Sequence, residues 1–179
     1  MKIIVVTGTP GTGKTALSRK IANKLNLHYI DVNNVIRKYK IAEGYDQKMK
    51  TKIVDIKKLN KALIMEISQY KKTIKNKPHK SSKKNPNEIK NGIIIDSHLS
   101  HYLAKKYVDL CIVTKCDLKV LRKRLKKRKY SEEKVRENLD AEIFDVCLNE
   151  AMERKHNIIV LDMTKGVSID KVYNKLKKQ

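Results

Sequence analysis

With 179 residues the chain is long enough to bury a real core, and one domain spanning residues 1–179 is the simplest reading. Its 42 Lys and Arg against 19 Asp and Glu leave a formal net charge of +23, which favours anionic partners such as nucleotides, RNA or an acidic surface and says nothing about fold. Cys111, Cys116 and Cys147 are odd in number and lack C-x-x-C spacing, which speaks against a disulfide framework or a zinc site and for a reducing, cytoplasmic setting.

The first element sets the rest. Ile3-Ile4-Val5-Val6 is an apolar, β-branched run, the pattern of a strand buried on both faces. It is too short for a membrane span and ends at Gly8-Thr9-Pro10-Gly11-Thr12-Gly13-Lys14-Thr15, which fits G-x-x-x-x-G-K-[ST]. Glycines let consecutive backbone N–H groups approach phosphate oxygens, a lysine supplies charge at the β- and γ-phosphates, and the hydroxyl after it can ligate Mg²⁺. Leu17, Ile21 and Leu25 then recur at helical spacing, so strand, loop and helix come in the order a nucleotide-binding loop requires. Gly11, Thr12, Gly13, Lys14, Thr15 and Ala16 are therefore the candidate residues for ATP, and Thr15 one candidate for Mg²⁺.

Further along, His28-Tyr29-Ile30 predicts a short strand ending at Asp31, and Val32, Val35 and Ile36 a helix carrying Arg37. A guanidinium grips phosphate bidentately, which makes Arg37 a candidate for an acceptor phosphate; a solvated helix charge is the alternative. Gly44-Tyr45-Asp46 breaks the pattern and Ile53-Val54 is a brief apolar touch. Leu59, Leu63, Ile67 and Tyr70 mark a clearer helix, after which residues 71–90 are rich in Lys, Asn and Pro without apolar periodicity, the composition of a mobile basic loop.

Ile93-Ile94-Ile95 is a second buried strand, running into Asp96-Ser97-His98. An aspartate at the carboxyl end of such a strand is placed to hold Mg²⁺ through water or, alternatively, to cap the next helix. Val108 to Thr114 predicts another strand, with Leu110, Ile112 and Val113 as its apolar residues, and Asp117 caps a helix with Leu118, Leu121 and Leu125 on one side and a basic cluster, Arg122 to Lys129, on the other. Ser131-Glu132-Glu133 restarts a helix expected to run unbroken through Val135, Leu139, Ile143, Val146 and Met152 toward His156. Break, basic cluster and restart have the pattern of a lid over ATP; a solvated basic helix end is the alternative. Ile158 to Leu161 is the last strand, and Ser168-Ile169-Asp170 opens a final helix with Val172, Tyr173 and Leu176. Strands alternating with helices predict an α/β fold, a parallel sheet of about five strands flanked by helices, with Thr7 and Asp96 at one sheet edge.

Several stretches together resemble the adenylate kinase isoenzyme six family and its archaeal relatives. They are Thr7 to Thr15, the Gly44-Tyr45-Asp46 turn, Ile94-Ile95-Asp96-Ser97-His98 and, above all, Arg128-Lys129-Tyr130-Ser131-Glu132-Glu133-Lys134 followed by Glu137-Asn138 and Glu142-Ile143-Phe144. The resemblance implies a P-loop nucleoside monophosphate kinase fold, ATP:AMP phosphotransfer with Mg²⁺, ATPase activity, and a role in small ribosomal subunit maturation with a platform ribosomal protein and small-subunit RNA as partners; the alternatives are an ATPase assembly factor whose kinase activity is incidental and a small-metabolite P-loop kinase. It implies an acceptor region at about 31–54 using Asp31 and Arg37, and a lid at about 127–137 with Arg128 reaching ATP. Lys14, Asp96, His98 and Arg128 are the catalytic set it implies, with Thr15 and Asp96 at the metal. Lys129 stands where the family commonly has glycine, Ala16 replaces a frequent second hydroxyl, and Asn33-Asn34 stand in place of Gly-Asp.

Overall fold

The computed structural model describes residues 1–75, 92–166 and 169–177. Its frame is a five-stranded sheet made of β1 (Lys2–Thr7), β2 (His28–Asp31), β5 (Gly92–Asp96), β6 (Leu110–Lys115) and β7 (Ile158–Asp162). The spatial order is β2-β5-β1-β6-β7, and every neighbouring pair is parallel. Parallel neighbours need crossovers, which the helices supply: α1 (Lys14–Leu25), α2 (Val32–Lys38), α3 (Ile56–Lys75), α4 (Leu118–Lys127), α5 (Glu132–Ile143), α6 (Val146–Glu153) and α7 (Asp170–Lys177). Two single-turn 3₁₀ helices, Ser100–Tyr102 and Lys105–Tyr107, follow β5.

Side-chain alternation divides the core between the two faces of the sheet. Ile3, Val5, Ile93 and Ile95 pack with Leu59, Leu63 and Ile67 of α3 on one face. Ile4, Val6, Ile94 and Ile112 pack with Leu17, Ile21 and Leu25 of α1 on the other. A smaller cluster of Cys116, Leu121, Leu125 and Val135 joins α4 to α5. The parallel register aligns Val6 with Asp96 and Asp31 with Asp96, so the carboxyl ends of β1, β2 and β5 share one edge, as expected.

Three local expectations are corrected. Gly44-Tyr45-Asp46 and Ile53-Val54 belong to a separate antiparallel hairpin, β3 (Ala42–Asp46) and β4 (Thr51–Val54), whose residues are almost all exposed; a strand without a buried face shows no alternation to read. Residues 71–75 are the last turn of α3 and not loop, because Ile67 and Tyr70 keep that helix against the core; the remainder of the basic segment, 76–90, lies outside the described residues. The helix expected from Ser131 to Met152 is two helices, broken at Phe144 and at Asp145, whose φ of 54° is left-handed. The Asp145 carboxylate there pairs with Lys115, and the Lys115 ammonium also donates to the Glu142 carbonyl, so contacts with β6 replace helix continuation. Finally, the Ser168 cap lies outside the described residues, while Ile169 and Val172 are buried as expected.

Candidate active site

The phosphate loop joins β1 to α1 with positive φ at Gly8 (134°), Gly11 and Gly13 (109°). Gly13 is the N-cap of α1, and a Cβ on Gly8 would collide with the carbonyl oxygen and Oγ1 of Thr114 on β6. The loop is therefore wedged against the sheet at a point where only glycine fits. Hydroxyls hold it there. Thr12 Oγ1 shares a 2.6 Å hydrogen bond with Thr114 Oγ1 and contacts the Thr9 carbonyl at 2.8 Å, and Thr12 N–H donates to the same carbonyl. Thr9 Oγ1 donates to Glu142 Oε2 at 2.5 Å, and Glu142 Oε1 accepts from Cys116 N–H at 2.8 Å.

Glu142 is thus a buried carboxylate clamping loop, β6 and α5 together. Periodicity could not show this, since a glutamate inside a helix reads as solvent-facing. Glu142→Ala orphans a buried hydroxyl and a buried N–H and should lower unfolding free energy by about 2–4 kcal/mol, read from urea denaturation. A loss within experimental error would mean that the loop is not anchored through this carboxylate.

Lys14 curls back over the loop, its ammonium donating to the Gly8 carbonyl at 2.7 Å and the Thr9 carbonyl at 3.0 Å. The residue as a whole is half-buried, but the ammonium end is enclosed. That burial pulls its pKa down to about 8 against the opposing pull of Asp96 and Glu142. Asp96, itself buried, accepts from the Tyr29 hydroxyl at 3.0 Å and does not cap the next helix, whose N-cap is Leu99. Burial and the Asp96 charge push the Tyr29 phenol up to about 12.

His98 is solvent-accessible through the cavity, yet its surroundings are dense. Desolvation first, then the Lys14 charge, lowers its pKa, so it is a neutral imidazole at pH 7. The histidines that the fold buries are instead His101 and His156, and His101 is the one beside β1. Its Nδ1 lies 2.7 Å from Thr7 Oγ1 and its Nε2 2.8 Å from Glu150 Oε2, while Tyr102 OH donates to Glu150 Oε1 at 2.7 Å.

These residues surround a cavity of about 880 Å³ lined by Gly11, Gly13, Lys14, Thr15, Ala16, Asp96, His98 and Arg128. The hairpin tip closes one side of it with Asp46, Met49, Lys50 and Thr51, and α5 another with Lys134, Glu137 and Asn138. Lys134 Nζ donates to the Met49 carbonyl at 2.5 Å and Lys48 pairs with Glu133 at 2.6 Å, so the start of α5 is tied to the hairpin tip. A second cavity of about 740 Å³ shares Gly11, Gly13, Ala16 and Arg128 and extends to Arg124, Met163 and Gly166. Arg124 is pinned by the carbonyls of Thr12 (3.3 Å) and Met163 (3.0 Å).

Three expected site residues stand apart. Thr12 turns its hydroxyl into the core. Asp31 caps α2 by accepting from Asn33 N–H at 2.8 Å. Arg37 is exposed on α2 and bonded to Asn34 Oδ1, outside the cavity lining. Further cations that line the cavity are Lys50 on the hairpin, Lys134 bonded to it, and Arg19 over the Tyr29 ring; sequence reasoning missed them because exposed basic residues are ubiquitous in this chain. Lys129, at the position where the resemblance expects glycine, has a φ of 58°, so the turn between α4 and α5 is left-handed at a residue less suited to it than glycine.

The donor set fits Mg²⁺. Thr15 and Asp96 offer hard oxygens at one cavity, and among the described residues no cluster of three His, Cys, Asp or Glu forms a metal cage. Two protein oxygens are what a cation carried largely by phosphates and water needs. The three cysteines are free, and burial pushes the Cys111 thiol up to about 12. Among the described residues no helix is long and apolar enough to cross a membrane.

Comparison with known proteins agrees with this geometry. A family profile described as an AAA domain matches residues 4–145. A Methanocaldococcus jannaschii protein named "Putative adenylate kinase" is 33% identical over 174 residues, spanning 97% of this chain and 85% of that protein. A Schizosaccharomyces pombe protein named "Adenylate kinase isoenzyme 6 homolog" is 34% identical over 160 residues, spanning 89% and 79% respectively. The fold is similar to that of deoxyadenosine kinase from M. mycoides with bound dATP (TM-score 0.51, 19% identity, 99% of this chain and 100% of that one), a likeness that carries the fold alone. Sequence identity along most of the chain, the phosphate loop and the parallel sheet converge: the chain belongs to the adenylate kinase isoenzyme 6 family of P-loop nucleotide kinases.

Proposed function

We propose that the protein is an ATP:AMP phosphotransferase, converting ATP and AMP to two ADP, with ATPase activity when water takes the acceptor's place. The observation that carries this reading is that two cavities meet at one phosphate loop and share Arg128. A phosphoryl group passing between two nucleotides needs such a two-lobed site, with little covalent chemistry from the protein and much positioning and charge neutralisation. In this reading the cavity bounded by Arg124, Met163 and Gly166 takes the ATP base, and the hairpin-bounded cavity takes AMP. The acceptor region is then 31–54 and the lid 127–137.

Lys14 and Arg128 stabilise charge on the transferring group, and the loop N–H groups of Gly11 and of Gly13 to Ala16 hold the polyphosphate. Thr15 and Asp96 would hold Mg²⁺, which neutralises phosphate charge when bound. Neutral His98 orients water or the Asp96 carboxylate. Arg19, Lys50 and Lys134 are better placed than Arg37 for the acceptor phosphate. A coupled assay of ADP formation from ATP with a panel of nucleoside monophosphates tests the reading. AMP should be the best acceptor; equal, slow turnover with and without every monophosphate would reject it.

The same reading extends to small ribosomal subunit maturation, with subunit RNA and a platform ribosomal protein as partners. The net charge of +23 supports an RNA contact, and five lysines fall within residues 76–90 with no Phe, Tyr or Trp among them. Such a segment neutralises phosphates without stacking bases. Replacing 76–90 with a Gly/Ser linker should leave phosphotransfer unchanged and weaken binding to small-subunit RNA. The dependence of log K on log salt should become shallower by about 0.7–0.9 per phosphate contact removed. An unchanged affinity and slope in filter binding would reject the RNA contact.

A further inference from the structure

We propose that Tyr29 is a positioning residue for the Asp96 carboxylate, engaging Oδ2 so that Oδ1 is held toward the phosphate loop, with Arg19 bracing the phenol ring. This rests on the phosphotransfer reading and deepens it by adding two residues, on β2 and α1, that no motif contains.

The register makes the contact possible. Tyr29 lies opposite Ile94 and Asp31 opposite Asp96 across β2 and β5. Alternation puts Ile94 and Asp96 on the same sheet face, and Tyr29 packs into the apolar cluster of Ile94 on that face. From there a phenol is long enough to pass one residue pair toward the strand ends, and its hydroxyl donates to Asp96 Oδ2 at 3.0 Å. A shorter side chain at Tyr29 would stop within the apolar layer.

The contact matters because of torsional softness. The terminal torsion of an aspartate is a broad sp³–sp² rotation, so packing alone fixes the plane of its carboxylate poorly. A hydrogen bond from a ring anchored in the core fixes that plane before any ligand arrives, which is the preorganisation that charge stabilisation needs. Arg19 adds a second restraint: its guanidinium carbon sits 5.7 Å from the Tyr29 ring centroid. Arg19 follows Thr15 by four residues on α1, hence on the same helix face, and both line the large cavity. Arg19 and Tyr29 thus link α1, β2 and β5 at Asp96, with Thr15, the other oxygen donor proposed for Mg²⁺, one turn before Arg19 on α1.

Tyr29→Phe keeps the ring in its cluster and deletes only the donor. Three measurements test it on the full chain, with Asp96→Asn and the double variant alongside. In turnover, Tyr29→Phe should lower kcat about tenfold, the scale of one hydrogen bond to a charged group, with KM for nucleotide within about twofold. In calorimetry with ADP, the ratio of affinities with and without Mg²⁺ should fall in Tyr29→Phe, and thermal unfolding should stay near wild type. On the Asp96→Asn background, Tyr29→Phe should have little further effect. Arg19→Gln should move the Mg²⁺ ratio in the same direction by less. An unchanged kcat and Mg²⁺ ratio in Tyr29→Phe overturns the proposal, as does an equal loss of affinity with and without Mg²⁺ together with a lowered melting temperature. If Asp96→Asn itself keeps wild-type turnover and Mg²⁺ ratio, the phosphotransfer assignment of Asp96 has failed instead.

Discussion

Lys14→Ala should reduce kcat/KM for ADP formation by roughly 10³-fold, the scale seen when one preorganised charge is removed from a developing transition state. The fold should survive. The ammonium touches only the Gly8 and Thr9 carbonyls, and its aliphatic stem belongs to none of the three apolar clusters. The sign of its pKa shift points the same way. Burial lowers Lys14 from 10.5 to about 8, so between those values the unfolded chain binds a proton that the folded one does not. Stability should therefore rise with pH across that window, and below it the buried charge opposes folding. Removing the lysine at pH 7 then costs no ionic stabilisation, and its melting temperature should match or exceed that of wild type.

The same shift predicts how nucleotide binds. A polyphosphate beside Lys14 favours the charged form, so binding above pH 8 should take up a proton and affinity should fall as pH rises toward 10. Calorimetry in buffers of different ionisation enthalpy measures this uptake directly. Lys14→Ala should abolish it. Near-wild-type turnover in the variant would remove Lys14 from the active site altogether.

Asp96→Asn is the second large effect. We expect kcat to fall by about 10²-fold or more while nucleotide affinity changes by only a few-fold, because a fixed carboxylate matters most as charge develops during transfer. Asparagine has the same shape and its carbonyl oxygen can still accept from the Tyr29 hydroxyl, so the β5 end should keep its structure. Single-turnover kinetics separates the chemical step from binding. Activity lost only in proportion to unfolded protein would make Asp96 a structural residue.

Much of this protein was legible from pattern alone. Ile3 to Val6, Ile93 to Ile95 and Leu110 to Val113 are buried on both sides, and continuous apolar runs of that length announce central parallel strands. The phosphate loop was legible for a similar reason: its conformation is dictated locally by glycine, lysine and hydroxyl in fixed order, with the helix stripe of Leu17, Ile21 and Leu25 coming directly after. The β3–β4 hairpin was not, because its exposed residues carry no burial signature. The α5–α6 break was hidden too, since the left-handed Asp145 is chosen by its pairing with Lys115, thirty residues away in sequence.

Local order in the sequence therefore determined the strands of the main sheet, the loop and the candidate residues Lys14, Thr15 and Asp96, while the family resemblance supplied Arg128. Only the tertiary structure decided which side chains complete the site. It clamped Thr9 with Glu142, fixed Asp96 with Tyr29, buried His101 and left His98 facing the cavity, and brought Arg19 and Lys134 to the cavity while leaving Arg37 outside. The physical reason is that backbone periodicity arises from neighbours a few residues apart, whereas a buried polar group must find its partner wherever the sheet register and helix packing deliver one.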